Sequence, residues 1–306
     1  MVEQQLEYYE GREKLMGTIF RLHAFHAPGQ GKWMRELADL LFDTLQEDDR
    51  RLSIYQAGST VNRINAAAGD GPVEVDEDTF ELFSEALRWW KITGGLFDIT
   101  VGAMMLAFGY YRNAALPSIE APSIDRLPEL TGCDKIALDP DRRTVLLTRR
   151  GMTADLGGFA KGWVVHRRSG ILREAGLTDF VISAGTSTVL ASGAPPGEEG
   201  WPTELENYGA GQLELDSLVL KNSAVSVSAN YRNTRGGPGG ITIRHIMNPL
   251  TFEPVEDMRR VVVTGPRADE CEALSTAFLI QGAPEGVFSL TGRPDITVHF
   301  DFPTDR

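Results

Sequence analysis

Between Gly31 and Glu47 the apolar residues Trp33, Leu37, Leu40, Leu41 and Leu45 recur at three-to-four spacing, which predicts an amphipathic helix. Glu36, Asp39, Asp43 and Glu47 cover its other side, a solvated face. A strand is expected just before it, at Gly17–Ala24. After a polar stretch ending at Asn65 and a turn-rich Ala66–Pro72 loop, Asp76 or Asp78 caps a second helix. That helix turns Phe80, Phe83, Leu87 and Trp90 inward and stops at Gly94-Gly95. Residues 114–130 are proline-rich and polar, a surface connection. Alternating runs at Lys135–Leu138 and Arg143–Leu147 predict a hairpin across Asp139-Pro140-Asp141. A helix from Phe159 to Ala175 follows, capped by Gly176, and then a strand at Phe180–Ser183. The second half is rich in β-branched residues, with strands expected at Gln212–Leu220, Ala224–Ser228, Ile241–Met247 and Arg260–Thr264. Gly236–Gly240 reads as a flexible loop, Asp269–Leu279 as a helix ending at Gly282, and Ile296–Phe300 as a closing strand. Hairpin-like strands mixed with long helices suit an α+β fold better than a regular βαβ winding.

Composition narrows the function. The 306 residues are 42% apolar and 24% charged, as in a globular protein with a sizeable core. Thirty basic against 43 acidic residues give a net charge of −13, which argues against a nucleic-acid or anionic-membrane surface. An anionic ligand must then be held by local features: a lysine, a metal or backbone amides. Five histidines and two cysteines, Cys133 and Cys271, are too few for a disulfide scaffold or a thiolate zinc cluster. Met1–Lys14 is acidic and polar, without the features of a secretory signal or a lipid-attachment cysteine, and no stretch has transmembrane length. The expected location is the cytoplasm, although a chain trimmed of an export signal reads the same way.

The most informative segment is Asp155-Leu156-Gly157-Gly158-Phe159-Ala160-Lys161-Gly162-Trp163. Glycines before a helix let backbone N–H groups approach an anion, and the helix N-terminus favours negative charge. A lysine one turn in adds a point charge suited to phosphate oxygens. The spacing matches neither the P-loop nor the Rossmann pattern. Read alone, the segment is equally a glycine-rich turn before an ordinary helix.

Other segments decide between these readings. Met16-Gly17-Thr18, Ser53-Ile54-Tyr55 with Ser59, Arg63 and Asn65, and Gly94–Gly102 precede the Asp155–Trp163 segment. Ser226–Tyr231, His245-Ile246-Met247-Asn248-Pro249 and Glu272–Ala277 follow it. In this order the set resembles the ApbE-type flavin transferases, the FAD:protein FMN transferases. The resemblance implies one domain over residues 15–301, with residues 1–14 as an extension. The implied fold is ApbE-like, with mixed and antiparallel sheets packed with helices, resembling tandem T-fold units. It further implies Mg²⁺-dependent cleavage of FAD at its pyrophosphate, with the FMN half passed to a threonine or serine of an acceptor protein and AMP released.

Residue by residue, the resemblance assigns metal binding to Glu272 and Thr276, one helical turn apart, and to the backbone carbonyl of Gly158. Cofactor contacts fall to Met16, Tyr55, Leu96, Phe97, Asp98 and Ile246, with Asp155 and Lys161 on the phosphate side. A carboxylate and a hydroxyl on one helix face are compatible with an oxygen-only Mg²⁺ site, and equally with a helix-dipole acid beside an ordinary threonine. Asp98 is expected to accept hydrogen bonds from ribose or adenine. His245 is the expected proton acceptor, being largely neutral near pH 7 if its pKa is unperturbed, with Lys161 beside it in catalysis.

Three departures from the family pattern leave alternatives open. The segment Ala184-Gly185-Thr186-Ser187 stands where relatives usually carry two glycines and an acid, Asn248 and Phe252 replace an aspartate and a glycine, and Glu272 replaces the common aspartate. These changes are compatible with a transferase of altered substrate or metal preference, or with a flavin-binding protein that has lost transfer. An FAD pyrophosphatase giving FMN and AMP would need the same residues.

Overall fold

The structure is a computed structural model that describes residues 6–111, 120–205, 215–230, 235–236, 242–243, 245–256, 259–283, 285–287, 289–290 and 292–301. The chain opens with β1 (Glu7–Leu15), β2 (Thr18–His26), α1 (Gly31–Leu52), α2 (Thr60–Ala66), β3 (Val73–Glu74), α3 (Glu77–Ile92) and α4 (Gly102–Ala107). Next come α5 (Leu127–Leu130), β4 (Ile136–Asp139), β5 (Thr144–Leu147), α6 (Ala160–Glu174), β6 (Phe180–Ala184), β7 (Thr188–Ser192), β8 (Trp201–Glu204) and β9 (Ser217–Leu220). The last part holds β10 (Ser223–Ala229), β11 (Arg235–Gly236), β12 (Thr242–Ile243), β13 (Met247–Asn248), β14 (Glu253–Pro254), β15 (Arg260–Gly265), α7 (Ala268–Gln281) and β16 (Thr297–Asp301).

A seven-stranded sheet in the order β1-β2-β6-β7-β10-β15-β16 forms the frame, and every neighbouring pair in it is antiparallel. Helices α1, α6 and α7 pack side by side on one face, α1 against α6 and α6 against α7. The main core lies there, around Phe20, Leu22, Leu41, Phe180, Ile182, Leu274 and Phe278. The opposite face is covered by the β8–β9 hairpin, where Trp201 and Leu220 cluster with Val189, Ala191, Val225 and Val262. This is an α+β architecture. No described helix is long and apolar enough to cross a membrane.

Several expectations are corrected by packing. Glu7–Leu15, nearly all of it within the expected extension, is strand β1, paired with β2 from Glu7↔His26 to Leu15↔Thr18. Helix α1 continues past Glu47 to Leu52 because Asp48 is buried against cations. The Arg168 guanidinium on α6 reaches both Asp48 oxygens at 2.7 Å, and Arg51 adds a further pair. The polar stretch before Asn65 is helix α2, started by the Ser59 hydroxyl accepting from the Asn62 amide at 3.1 Å. On α3, capped by Asp76, the buried residues are Thr79, Leu82, Phe83, Ala86 and Trp89, while Phe80, Leu87 and Trp90 are only partly covered. Small Thr79 and Ala86 let this face sit close to its neighbours, and spacing of bulky residues alone rotates the prediction by one position. Within the expected surface connection, Leu127 and Leu130 of α5 are fully buried. The hairpin β4–β5, helices α6 and α7 with Gly176 and Gly282 in left-handed geometry, and strands β6, β10, β15 and β16 lie where the sequence puts them. Residues 114–119, Gln212–Glu214, Tyr231, Gly237–Ile241 and Arg244, which belonged to predicted elements or motifs, are outside the described residues.

Candidate active site

The site is built where the Asp155 corner meets α7. Asn65 on α2 fixes the corner by pairing with a distant backbone. Its side-chain amide donates to the Ala154 carbonyl at 3.0 Å and its oxygen accepts the Ala154 N–H at 2.7 Å. The Asp155 N–H donates to the Ile99 carbonyl at 2.7 Å, tying the corner to the Leu96–Thr100 segment. The Asp155 carboxylate accepts the Gly157 N–H at 2.7 Å on one oxygen and the Tyr111 hydroxyl on the other. Burial, then the Asp155 charge, hold the Tyr111 phenol well above its ordinary pKa, so it serves as the donor.

Helix α6 brings Lys161 to the mouth of the corner. Its ammonium lies 2.9 Å from a Glu272 oxygen on α7 and donates to the Gly157 carbonyl at 3.2 Å. The other Glu272 oxygen accepts the Gly162 N–H. Glycine is required at 162: a Cβ there would overlap the Glu272 carboxylate and lie 2.6 Å from the Ala268 carbonyl. The missing side chain is what lets α6 and α7 approach closely enough for Glu272 to span them. One turn along α7, the Thr276 hydroxyl is 3.3 Å from Ser228 of β10. Ser228 in turn is 2.8 Å from Ser275, which donates back to the Glu272 carbonyl at 3.1 Å.

His245, Ile246 and Met247 line the same cavity. Among the described residues, His245 Nδ1 is buried with no hydrogen-bond partner. Burial first, then the nearby Lys161 charge, lower its pKa to about 4, so the ring is neutral at pH 7 with a lone pair available.

These residues line one cavity of about 570 Å³, together with Tyr55, Leu96, Phe97, Asp98 and Gly158. A second lobe of about 390 Å³ adjoins it through Ile54, Tyr55, Asp155, Gly157 and Lys161, and adds Met16, Gly17 and Gln56. Met16 and Gly17 form the two-residue turn between β1 and β2, with φ of 48° and 75°. A turn of that hand matches strand twist but strains a residue bearing a Cβ. The strain is spent on presenting Met16 to the lobe.

All the expected site residues thus meet at this double cavity, but not all in the expected way. Asp98 is 7% exposed and its carboxylate already accepts from Thr100 N–H at 2.7 Å, from the Thr100 hydroxyl at 2.5 Å and from Cys133 N–H at 3.1 Å. It shapes the wall by holding that turn, and burial raises its pKa. Leu96 and Phe97 are chiefly core residues, Phe97 resting on Phe159 at 5.2 Å between ring centres. Sequence reasoning missed Tyr110 and Tyr111, and it placed Ser187, Ser226 and Ser228 in motifs without giving them a site role. The alternation of Ser226 and Ser228, which puts both on one face of a strand, was a usable signal. For Tyr110 and Tyr111 there was none. Of the departing residues, Ser187 lines the cavity, whereas the Asn248 side chain accepts the Leu250 N–H at 2.9 Å inside its own hairpin turn. Phe252 closes that turn with φ of 60°, in a conformation that favours glycine.

Among the described residues no three His, Cys, Asp or Glu side chains stand together as a metal cage. A divalent cation would rely on one carboxylate, Glu272, with the Thr276 hydroxyl and the Gly158 carbonyl. All three belong to residues lining the same cavity. That donor set is all oxygen and incomplete, and fits a hard ion that keeps waters and takes phosphate oxygens.

The fold has known counterparts. An ApbE protein of Thermotoga maritima superposes with a TM-score of 0.76 at 27% identity, covering 90% of this chain and 87% of that one. The apo flavinyl transferase ApbE of Pseudomonas stutzeri shares the fold with a TM-score of 0.79 at 22% identity, covering 97% of this chain and 92% of its own. In sequence, the FAD:protein FMN transferase of Treponema pallidum (strain Nichols) is 26% identical, over 97% of this chain and 85% of that protein. The FAD:protein FMN transferase of Escherichia coli (strain K12) is 27% identical, over 94% of this chain and 82% of its own. The ApbE family model matches residues 16–300, and the chain therefore belongs to the ApbE family.

Proposed function

We propose that the double cavity binds FAD and that the protein transfers the FMN half to a threonine or serine hydroxyl of an acceptor protein, releasing AMP. The observation that carries this reading is the convergence of Asp155, Lys161, His245, Glu272 and Thr276 on one cavity, with His245 neutral and Lys161 charged beside it. The acceptor oxygen attacks the phosphorus on the flavin side, the bond to the bridging oxygen breaks, and AMP departs with that oxygen. His245 takes the hydroxyl proton on its free ring nitrogen. Its lowered pKa keeps it unprotonated before the reaction, and the incoming phosphate charge raises its basicity when the proton must be taken. Lys161 and the Gly158 amide hold phosphate oxygens in line. Met16 and Tyr55 supply a flexible thioether and an exposed ring against which a planar flavin can pack. Mg²⁺, held by Glu272, Thr276 and the Gly158 carbonyl, would neutralise charge on the transferred phosphoryl group.

The test is AMP release from FAD with Mg²⁺, with and without an acceptor, followed by mass spectrometry of the acceptor for added FMN. Loss of AMP formation is expected in Glu272→Ala, Thr276→Ala and His245→Ala, and unchanged rates in all three would refute the assigned roles. Fast AMP release by the wild type without any acceptor would instead identify a pyrophosphatase.

A further inference from the structure

Both Glu272 oxygens are engaged: one lies 2.9 Å from the Lys161 ammonium and the other accepts the Gly162 N–H. The side chains are 6% and 21% exposed for Glu272 and Lys161, so the pair is largely shielded from water. Yet the same two groups have separate tasks in the proposed reaction, Glu272 toward a cation and Lys161 toward phosphate. A cation at Glu272 repels the ammonium held against the same carboxylate, so metal and Lys161 compete for it. We propose that the Lys161–Glu272 ion pair is a lock that couples the two sites: without a phosphate ligand, Lys161 occupies the carboxylate and disfavours the metal, and phosphate releases it. The coupling rests on the assignment of Glu272 as a metal ligand.

The physical basis is the asymmetry of shielded ion pairs. Separating one leaves a desolvated charge uncompensated, and a ligand that arrives first must meet that cost alone. The second ligand finds its partner already freed. By linkage, metal and phosphate then favour each other's binding by the same factor. Glutamate is central here, since shortening it to aspartate withdraws the carboxylate by about 1.5 Å, one carbon–carbon bond, and opens the contact with Lys161.

The experiment is calorimetric titration of Mg²⁺ alone into the wild type, Lys161→Met, Glu272→Asp and Glu272→Gln, repeated with inorganic phosphate present. Circular dichroism checks that each variant is folded. The wild type should bind Mg²⁺ weakly, and Lys161→Met and Glu272→Asp about tenfold more tightly or better, in line with release of a shielded pair. Phosphate should tighten Mg²⁺ binding severalfold more in the wild type than in Lys161→Met, and an equal effect in both overturns the lock. Should Lys161→Met fail to fold, Glu272→Asp carries the same comparison. Abolished binding in Glu272→Gln with no gain in Lys161→Met or Glu272→Asp overturns the lock while leaving the metal site standing. Unchanged binding in Glu272→Gln overturns the metal assignment and the lock together.

Discussion

Replacing His245 by asparagine should change how stability responds to acid. In the unfolded chain the imidazole titrates near 6.5, whereas in the folded protein burial and Lys161 hold it at about 4. Between these values the unfolded chain binds the extra proton and the folded one does not. The contribution of His245 to stability is therefore complete above pH 6.5 and declines as pH falls toward 4. A gap of about 2.5 units at ~1.4 kcal/mol each caps the loss at roughly 3 kcal/mol, with about 2.5 kcal/mol of it already gone near pH 4.5. Urea unfolding of the wild type and His245→Asn, run in steps from pH 7.5 to 4.5, isolates this share because other titrating groups cancel in the difference. The variant should gain on the wild type steadily as the solution is acidified. Removing the Lys161 charge, as in Lys161→Met, should raise the folded-state histidine pKa, narrowing the window from its acid end and shrinking the total loss. Parallel stability curves for wild type and His245→Asn would refute the account of a buried, neutral ring.

Gly162→Ala should cost about 1–3 kcal/mol by overpacking the contact between α6 and α7 and should abolish AMP release by displacing Glu272, both measurable on one purified variant. Tyr111→Phe should lose about 1.5–3 kcal/mol, the value of a hydrogen bond to a charged group, and weaken FAD binding by fluorescence titration while leaving the fold intact. Met16→Asn should raise thermal stability slightly, because asparagine tolerates the left-handed turn, and lower flavin affinity. Asp301→Asn should cost about 3–5 kcal/mol, since the fully buried Arg260 guanidinium now rests on Asp301 at 2.6 Å and would keep its charge with the partner's removed.

The legibility of this chain in sequence follows local chemistry. Helices α6 and α7 were readable because glycines punctuate their ends, β15 because β-branched residues dominate it, and β10 because valine alternates with serine along it. Strand β7 was not readable, since Leu190 faces the main core while Val189 and Ala191 face the β8–β9 cover, and burial on both sides erases alternation. Strand β1 escaped for the opposite reason: as an edge strand it is mostly exposed and looks like a polar tail. The site residues came from matched motifs, which identify a position without its environment. Hence Asp98 was found but its engagement by Thr100 and Cys133 was not, because those partners are set by tertiary packing. The pairing of Lys161 with Glu272 depends on an interhelical distance that no spacing rule contains.

The Gly162 contact also bears on how the chain matures. It joins a helix from the middle of the sequence to one near its end, and the histidine wall lies between them in order. A ribosome-bound chain that stops before α7 has the Asp155 corner and no carboxylate to meet it, and long-range closures of this kind are slow to form. Capacity to hold the dinucleotide should consequently arrive late and all at once, making ligand retention a gauge of whether a molecule is finished.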